Sequence, residues 1–300
     1  MKQYQPNQHR SSWSTSLRDL LAGAFIGLLF CAAAFAYAGI INKGVPVKIM
    51  PVGDSITEGK YTQGGYRKPL YQLLKDNGYS ATFVGKEDNG DPANDTGFST
   101  GMENPNHEGY GSARIGMLLN GGTTEKHMAL PIKTSLANNN PDVVLILLGT
   151  NDIFGITPTD RMHQTMETLV STIFERNPNT TVVLASIPPI AKIEARNAEV
   201  NAYNAVLPGI VAKEKALNHK IEFADIHSVF TDPADLSGDK VHPSATGYNK
   251  MAALWYSILT GDPAPNFHGV CLRQRDTCVA PRERGGLQRH WSARHFCISV

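Results

Sequence analysis

Val47-Lys48-Ile49-Met50-Pro51-Val52-Gly53-Asp54-Ser55-Ile56-Thr57-Glu58-Gly59 is the stretch that decides the fold. Val47 to Val52 reads as a buried strand, apolar and branched, with a turn former directly after it. Gly53-Asp54-Ser55 then makes a tight turn that presents one hydroxyl. Open α/β sheets place their ligands at the carboxyl ends of parallel strands, which is where this serine falls. A bare serine is a weak nucleophile, so the position carries chemistry only if a base and an oxyanion site occur elsewhere.

Outward from that strand the pattern alternates. Helical spacing over residues 66–77 is followed by a short strand at 81–84 and a Gly/Asn/Asp-rich loop over 86–110, long enough to suggest a function of its own. Helices are expected over 113–119 and 128–137. Asp142 to Leu148 is a continuous apolar strand of the kind buried on both faces. Then come a helix over 161–176, a strand over 181–187, and a helix over 195–217 with a kink expected at Pro208. A last strand spans 220–226 and a last helix 245–259. Five strands alternating with helices predict an α/β fold, a parallel sheet with helices on both faces, over residues 45–261.

The totals narrow the function. The chain has 300 residues and a formal net charge of +1, so no strong attraction to nucleic acid follows. Residues 1–38 read as a secretory signal: Lys2, Arg10 and Arg18 precede an uncharged run from Leu20 to Ile41, and Ala36-Tyr37-Ala38 is a small-x-small cleavage site. An uncleaved membrane anchor is the rival, since the run approaches the ~20 residues that span a bilayer. Either reading places the following domain outside the cytoplasm, with membrane contact only through this segment. Cys31 makes a poor lipid-attachment site behind the bulky Phe30. The three other cysteines, Cys271, Cys278 and Cys297, lie with six arginines in residues 262–300, which read as a disordered, non-catalytic extension. Their spacing with His290 and His295 fits no compact zinc pattern.

Two further blocks supply what Ser55 needs. Asp239-Lys240-Val241-His242-Pro243 follows the last strand. Histidine titrates near neutral pH and suits a base, and Asp239, three residues earlier, can hold its far nitrogen. Gly149-Thr150-Asn151-Asp152 follows the most apolar strand, where the Asn151 amide can donate to an oxyanion. Asp152 is better read as shaping a turn or capping a helix. The backbone N–H of Ser55 is a second donor, and Gly111 or Ser112 a third.

These three blocks, in this order and spacing, resemble the signatures of the SGNH (GDSL-type) hydrolases. Gly64-Gly65-Tyr66-Arg67, residues 69–74 and His107-Glu108-Gly109 are similar to the branch that contains carbohydrate esterase family three, the acetylxylan esterases. The resemblance implies a flavodoxin-like three-layer α/β/α sandwich with a five-stranded sheet, Ser55 as nucleophile, His242 as base and Asp239 as its partner. It further implies an oxyanion hole of Ser55, Gly111 and Asn151, with no metal or cofactor. The branch usually reads Gly-Trp where Gly111-Ser112-Ala113 stands here. The expected substrate is an acylated carbohydrate or a small ester. Alternatives are a lysophospholipase, and a catalytically idle carbohydrate-binding protein. Arg67, Tyr66 and Tyr110 are open between lining the cleft and packing helices.

Two near matches fail on spacing. The glycines of residues 53–60 stand one residue too far apart for a phosphate-binding loop, and Tyr61 occupies the Ser/Thr position. Ser55 also lacks the following glycine of a G-x-S-x-G elbow.

Overall fold

The structure, a computed structural model, describes residues 39–88, 104–124 and 128–263. The signal or anchor expected over residues 1–38, the middle of the loop after Lys86, and all but two residues of the Arg-rich extension lie outside these. By its internal contacts the chain divides into residues 1–265 and 266–300, and every described residue belongs to the first unit. No helix among the described residues is long and apolar enough to cross a membrane.

The strands are β1 (Val47–Gly53), β2 (Ala81–Phe83), β3 (Glu108–Gly109), β4 (Gly122–Thr123), β5 (Met128–Ala129), β6 (Val143–Leu147), β7 (Thr181–Ala185) and β8 (Ile221–Ala224). The main sheet is parallel throughout, in the order β2-β1-β6-β7-β8. All five expected strands are present. The sixth, β3, shares the edge position with β2: β2 pairs with Val47–Ile49 and β3 with Val52–Gly53. An antiparallel pair of β4 and β5 lies apart from this sheet.

The helices are α1 (Ser55–Glu58), α2 (Arg67–Asp76), α3 (Ile115–Asn120), α4 (Ile132–Asn139), α5 (Thr150–Phe154), α6 (Thr159–Arg176), α7 (Asn197–Ala216) and α8 (Ala245–Thr260). Alternation along the strands builds two cores, because successive side chains face opposite ways. Met50, Val52, Val144, Ile146, Val182 and Leu184 pack with α3, α4, α6 and α7. Ile49, Leu145, Leu147, Val183 and Ala185 pack with α2 and α8. The result is the three-layer α/β/α sandwich. Residues 39–41, the end of the apolar run, also join it: Ile41 is buried and its N–H donates to Leu259 O at 2.9 Å.

The helix expected over 128–137 is instead strand β5 followed by α4, separated by Pro131 at the N-cap. Proline lacks the N–H a continuing helix needs and disfavours helical backbone at the residue before it. Pro208 does not divide its helix, and α7 runs through it as one element.

Arg67 shows why side chains near the site are not all part of it. It is fully buried, and its guanidinium donates to Thr57 O (2.8 Å), Glu58 O (2.9 Å) and Pro105 O. A cation at the last carbonyls of α1 satisfies groups that the helix leaves open. Burial lowers its pKa to about 9. Tyr66 and Tyr110 are equally buried, bonding Thr57 Oγ1 (3.2 Å) and Glu108 respectively. All three residues are packing and fastening groups, not walls of the cleft. Replacing Arg67 by Ala should cost at least about 3 kcal/mol in urea denaturation, since it strands several buried carbonyls, with Arg67→Lys recovering only part. A loss below about 1 kcal/mol would contradict this account.

Candidate active site

Strand β1 ends in Gly53, where only a glycine fits: a Cβ would stand 2.2 Å from Thr57 Oγ1 and 2.5 Å from Leu147 O. Asp54 follows as the N-cap of α1, its Oδ1 accepting from Ile56 N at 2.9 Å. That cap fixes Ser55 as the first residue of a helical turn, with its side chain at the carboxyl edge of the sheet. The turn stops at Gly59, whose φ of 93° is left-handed backbone that glycine adopts freely.

Ser55 Oγ lies 2.7 Å from His242 Nε2. His242 Nδ1 lies 2.6 Å from Asp239 Oδ2. The other oxygen, Asp239 Oδ1, accepts from Ser237 Oγ (2.7 Å), Val241 N (3.0 Å) and His242 N (3.0 Å). Burial raises the Asp239 pKa, but the hydrogen bonds outweigh it and hold the carboxyl well below its usual range. His242 is only 8% exposed. Burial pushes its pKa down, further lowered by the Lys60 charge and opposed by Asp239, and burial wins. The imidazole is thus neutral near pH 7, able to accept a proton from a serine hydroxyl.

Asn151 is the second residue of α5, beside the end of β6. Its Nδ2 donates to Ala113 O at 3.0 Å, leaving the second N–H of the amide for another acceptor. Asp152 caps α3 from outside, with Oδ2 accepting from Ile115 N at 3.1 Å, as its sequence context suggests. Together with the bond from Tyr110 N to Gly53 O (3.1 Å), these contacts moor the loop over 110–115 to the ends of β1 and β6. Gly111 sits in that moored loop, half-buried, and a Cβ there would meet Glu58 Oε2 at 2.9 Å. Ser112 is exposed, with a left-handed φ of 64°. Ser55 and Asp239 therefore each contact His242, one at either ring nitrogen, and Asn151 and the Gly111 loop are joined to each other beside them. The His107-Glu108-Gly109 stretch serves this mooring: Glu108 is buried and accepts from Lys86 N (2.9 Å) and the Tyr110 hydroxyl.

Two features went unread in the sequence. Tyr61 is 61% exposed and packs edge-to-face with the His242 ring, centroids 5.4 Å apart at 88°. Its φ of 65° is costly for a tyrosine, roughly 1–2 kcal/mol, and no residue type announces such a position. The second is a buried carboxyl pair. Burial, together with the charge of Asp152, raises the Asp54 pKa to about 7, and burial raises that of Asp152 to about 6. Asp54 Oδ2 and the nearby Thr150 hydroxyl are both buried, and neither completes a hydrogen bond of good geometry. Among the described residues no group of three or more His, Cys, Asp or Glu is placed to hold a metal.

The sequence profile of the GDSL-like lipase/acylhydrolase family matches residues 52–250. The chain belongs to that family. It is a carboxylic ester hydrolase of SGNH type, related to carbohydrate esterases. A multidomain esterase of Ruminococcus flavefaciens is 31% identical over 223 residues, 72% of this chain, and this chain spans only 28% of that protein's length. Among solved structures, a family 3 carbohydrate esterase from Clostridium thermocellum is 31% identical, with a TM-score of 0.59 over 71% of this chain and 94% of the other. A family 3 carbohydrate esterase from Talaromyces cellulolyticus shares the fold at 24% identity, with a TM-score of 0.60 over 71% and 96%.

In this esterase the Asp54 carboxyl has a raised folded pKa, so its linkage to stability has a definite sign. The unfolded group ionises near its ordinary 3.8 and the folded one near 7. Stability is fully present below the first value and is lost as pH climbs to the second. Asp54→Asn keeps the cap acceptor and removes the titration. Its stability relative to wild type should grow between pH 4.5 and 7.5, read from urea midpoints; a constant or shrinking difference would contradict the assignment.

Proposed function

We propose that this esterase removes short acyl groups, acetyl above all, from plant cell-wall polysaccharide, with xylan as the leading substrate, through an acyl-enzyme on Ser55. The observation that carries the proposal is the unbroken relay Ser55–His242–Asp239, at 2.7 and 2.6 Å. The kinship with carbohydrate esterases supports the saccharide, and the near-neutral net charge gives no reason to prefer a strongly charged polymer. The uncharged run from Leu20 to Ile41 supports action outside the cytoplasm, where such polymers lie.

His242 Nε2 takes the Ser55 proton as Oγ attacks the ester carbonyl carbon. The carbonyl oxygen becomes an oxyanion, held by the Asn151 amide and the backbone N–H groups of Ser55 and Gly111. The intermediate collapses, and the alcohol leaves with the proton returned by His242. Water, deprotonated by the same imidazole, then attacks the acyl-enzyme and releases the acid. Asp239 keeps Nδ1 protonated and stabilises the imidazolium that forms in each half.

Ser55→Ala should lower acetate release from acetylated xylan by at least about a thousandfold; turnover near the wild-type rate would refute the proposal. A panel of esters with lengthening acyl chains should show acetyl ahead, whereas preference for long chains would point to a lysophospholipase. Because the base acts when neutral and its pKa is depressed, kcat/KM should rise with pH through a midpoint below the ordinary 6.5. A midpoint above 7 would count against His242.

A further inference from the structure

The alcohol that leaves the carbonyl carbon as Ser55 is acylated must collect its proton from His242 Nε2, the atom facing Ser55 Oγ. The alcohol half of the ester therefore lies on the His242 side of the cleft. His242 itself is nearly buried, and Tyr61, packed against its ring, is a large side chain standing in solvent.

A single exposed aromatic ordinarily needs no explanation. Two observations set Tyr61 apart. First, it adopts left-handed backbone that an asparagine or glycine would tolerate better. Strain of this kind persists where the surroundings over-determine it, and is concentrated at ligand clamps and active sites. Second, its turn is bonded to the nucleophile position. Gly59 N and Lys60 N donate to Ser55 O at 3.1 and 3.0 Å, Thr62 N donates to Gly59 O at 3.1 Å, and the Tyr248 hydroxyl donates to Lys60 O at 3.3 Å. The backbone that carries the ring is thus tied to Ser55, and the ring itself packs on His242. The Lys60 ammonium stands 5.3 Å from the ring centre on a flexible, exposed stem.

We propose that Tyr61 is the platform for the sugar ring that bears the acyl group, stacking on its C–H face on the leaving-alcohol side and setting the preference for acylated saccharide over simple alkyl esters. This rests on the reading of Ser55 and His242 as an ester-cleaving pair. An aromatic face offers a large, rigid, apolar area with a polar tip, which matches a pyranose ring that is apolar on its faces and hydroxylated at its rim. Tyr61 touches the alcohol half only, and takes no part in proton transfer.

The test uses the full chain, with acetylated xylo-oligosaccharide and ethyl acetate as substrates, on wild type, Tyr61→Ala and Tyr61→Phe. In Tyr61→Ala the ratio of kcat/KM for the oligosaccharide over ethyl acetate should fall by roughly fivefold to tenfold, the loss carried by KM for the oligosaccharide. Tyr61→Phe, which keeps the face and loses the hydroxyl, should keep the ratio. An unchanged ratio in Tyr61→Ala overturns the platform, whether both rates hold or both fall together. Both falling together would assign the ring to shielding His242. A wild-type protein inert toward both esters would instead refute the esterase reading beneath it.

Discussion

The contact of Ser55 Oγ with His242 Nε2 joins residues 187 positions apart, and the arrangement of the chain serves to make it. Parallel pairing sends the ends of β1 and β6 to one edge, in register from Ile49 opposite Val143 to Gly53 opposite Leu147. That places the Ser55 turn beside the Asn151 turn. His242 comes from farther away, after β8 at the opposite side of the sheet. Its loop is brought back and held by the bridge of Leu236 with Pro243, by Ser237 N on His242 O (2.7 Å), and by Ala191 N and Lys192 N on Lys240 O. Asp235, buried under α8 and bonded to Lys250 at 2.7 Å, fixes where that loop begins.

Electrostatics then divides the acidic groups by surroundings. Asp239 keeps its charge because four donors face its two oxygens. Asp54 and Asp152, buried near each other with fewer donors, are pushed toward neutrality. Burial keeps His242 neutral at rest, and in the proposed mechanism the charged Asp239 is the group that stabilises the imidazolium when it forms.

Much of this was legible in the sequence, for reasons that differ by residue. The strands showed because burial on both faces forces uninterrupted apolar runs, as in residues 143–147. Ser55 and Asn151 showed because each stands just beyond a strand, where an open sheet gathers its chemistry, whereas His242, well past the end of β8, showed through its spacing from Asp239. Residues 128–137 misled because an apolar run beside Pro131 fits two spacings, and only the pairing with β4 decides between them. Arg67 and Tyr110 could not be placed because burial of a polar side chain depends on partners far along the chain, such as Pro105 and Glu108. Tyr61 was invisible as a neighbour of the imidazole, since its place follows from a left-handed turn that its residue type argues against.

The central claim, that Ser55 takes the acyl group from the ester, is tested most directly by trapping. Turnover of an aryl acetate is quenched in acid within the first cycles, and the protein is mapped by peptide mass spectrometry. The account predicts one acetyl group, located on Ser55 and scarce before substrate is added. Turnover with no acetyl on Ser55 at any quench time, in enzyme whose deacylation has been slowed by replacing water with an alcohol-poor, low-water medium, or a label appearing consistently on another residue, would contradict it.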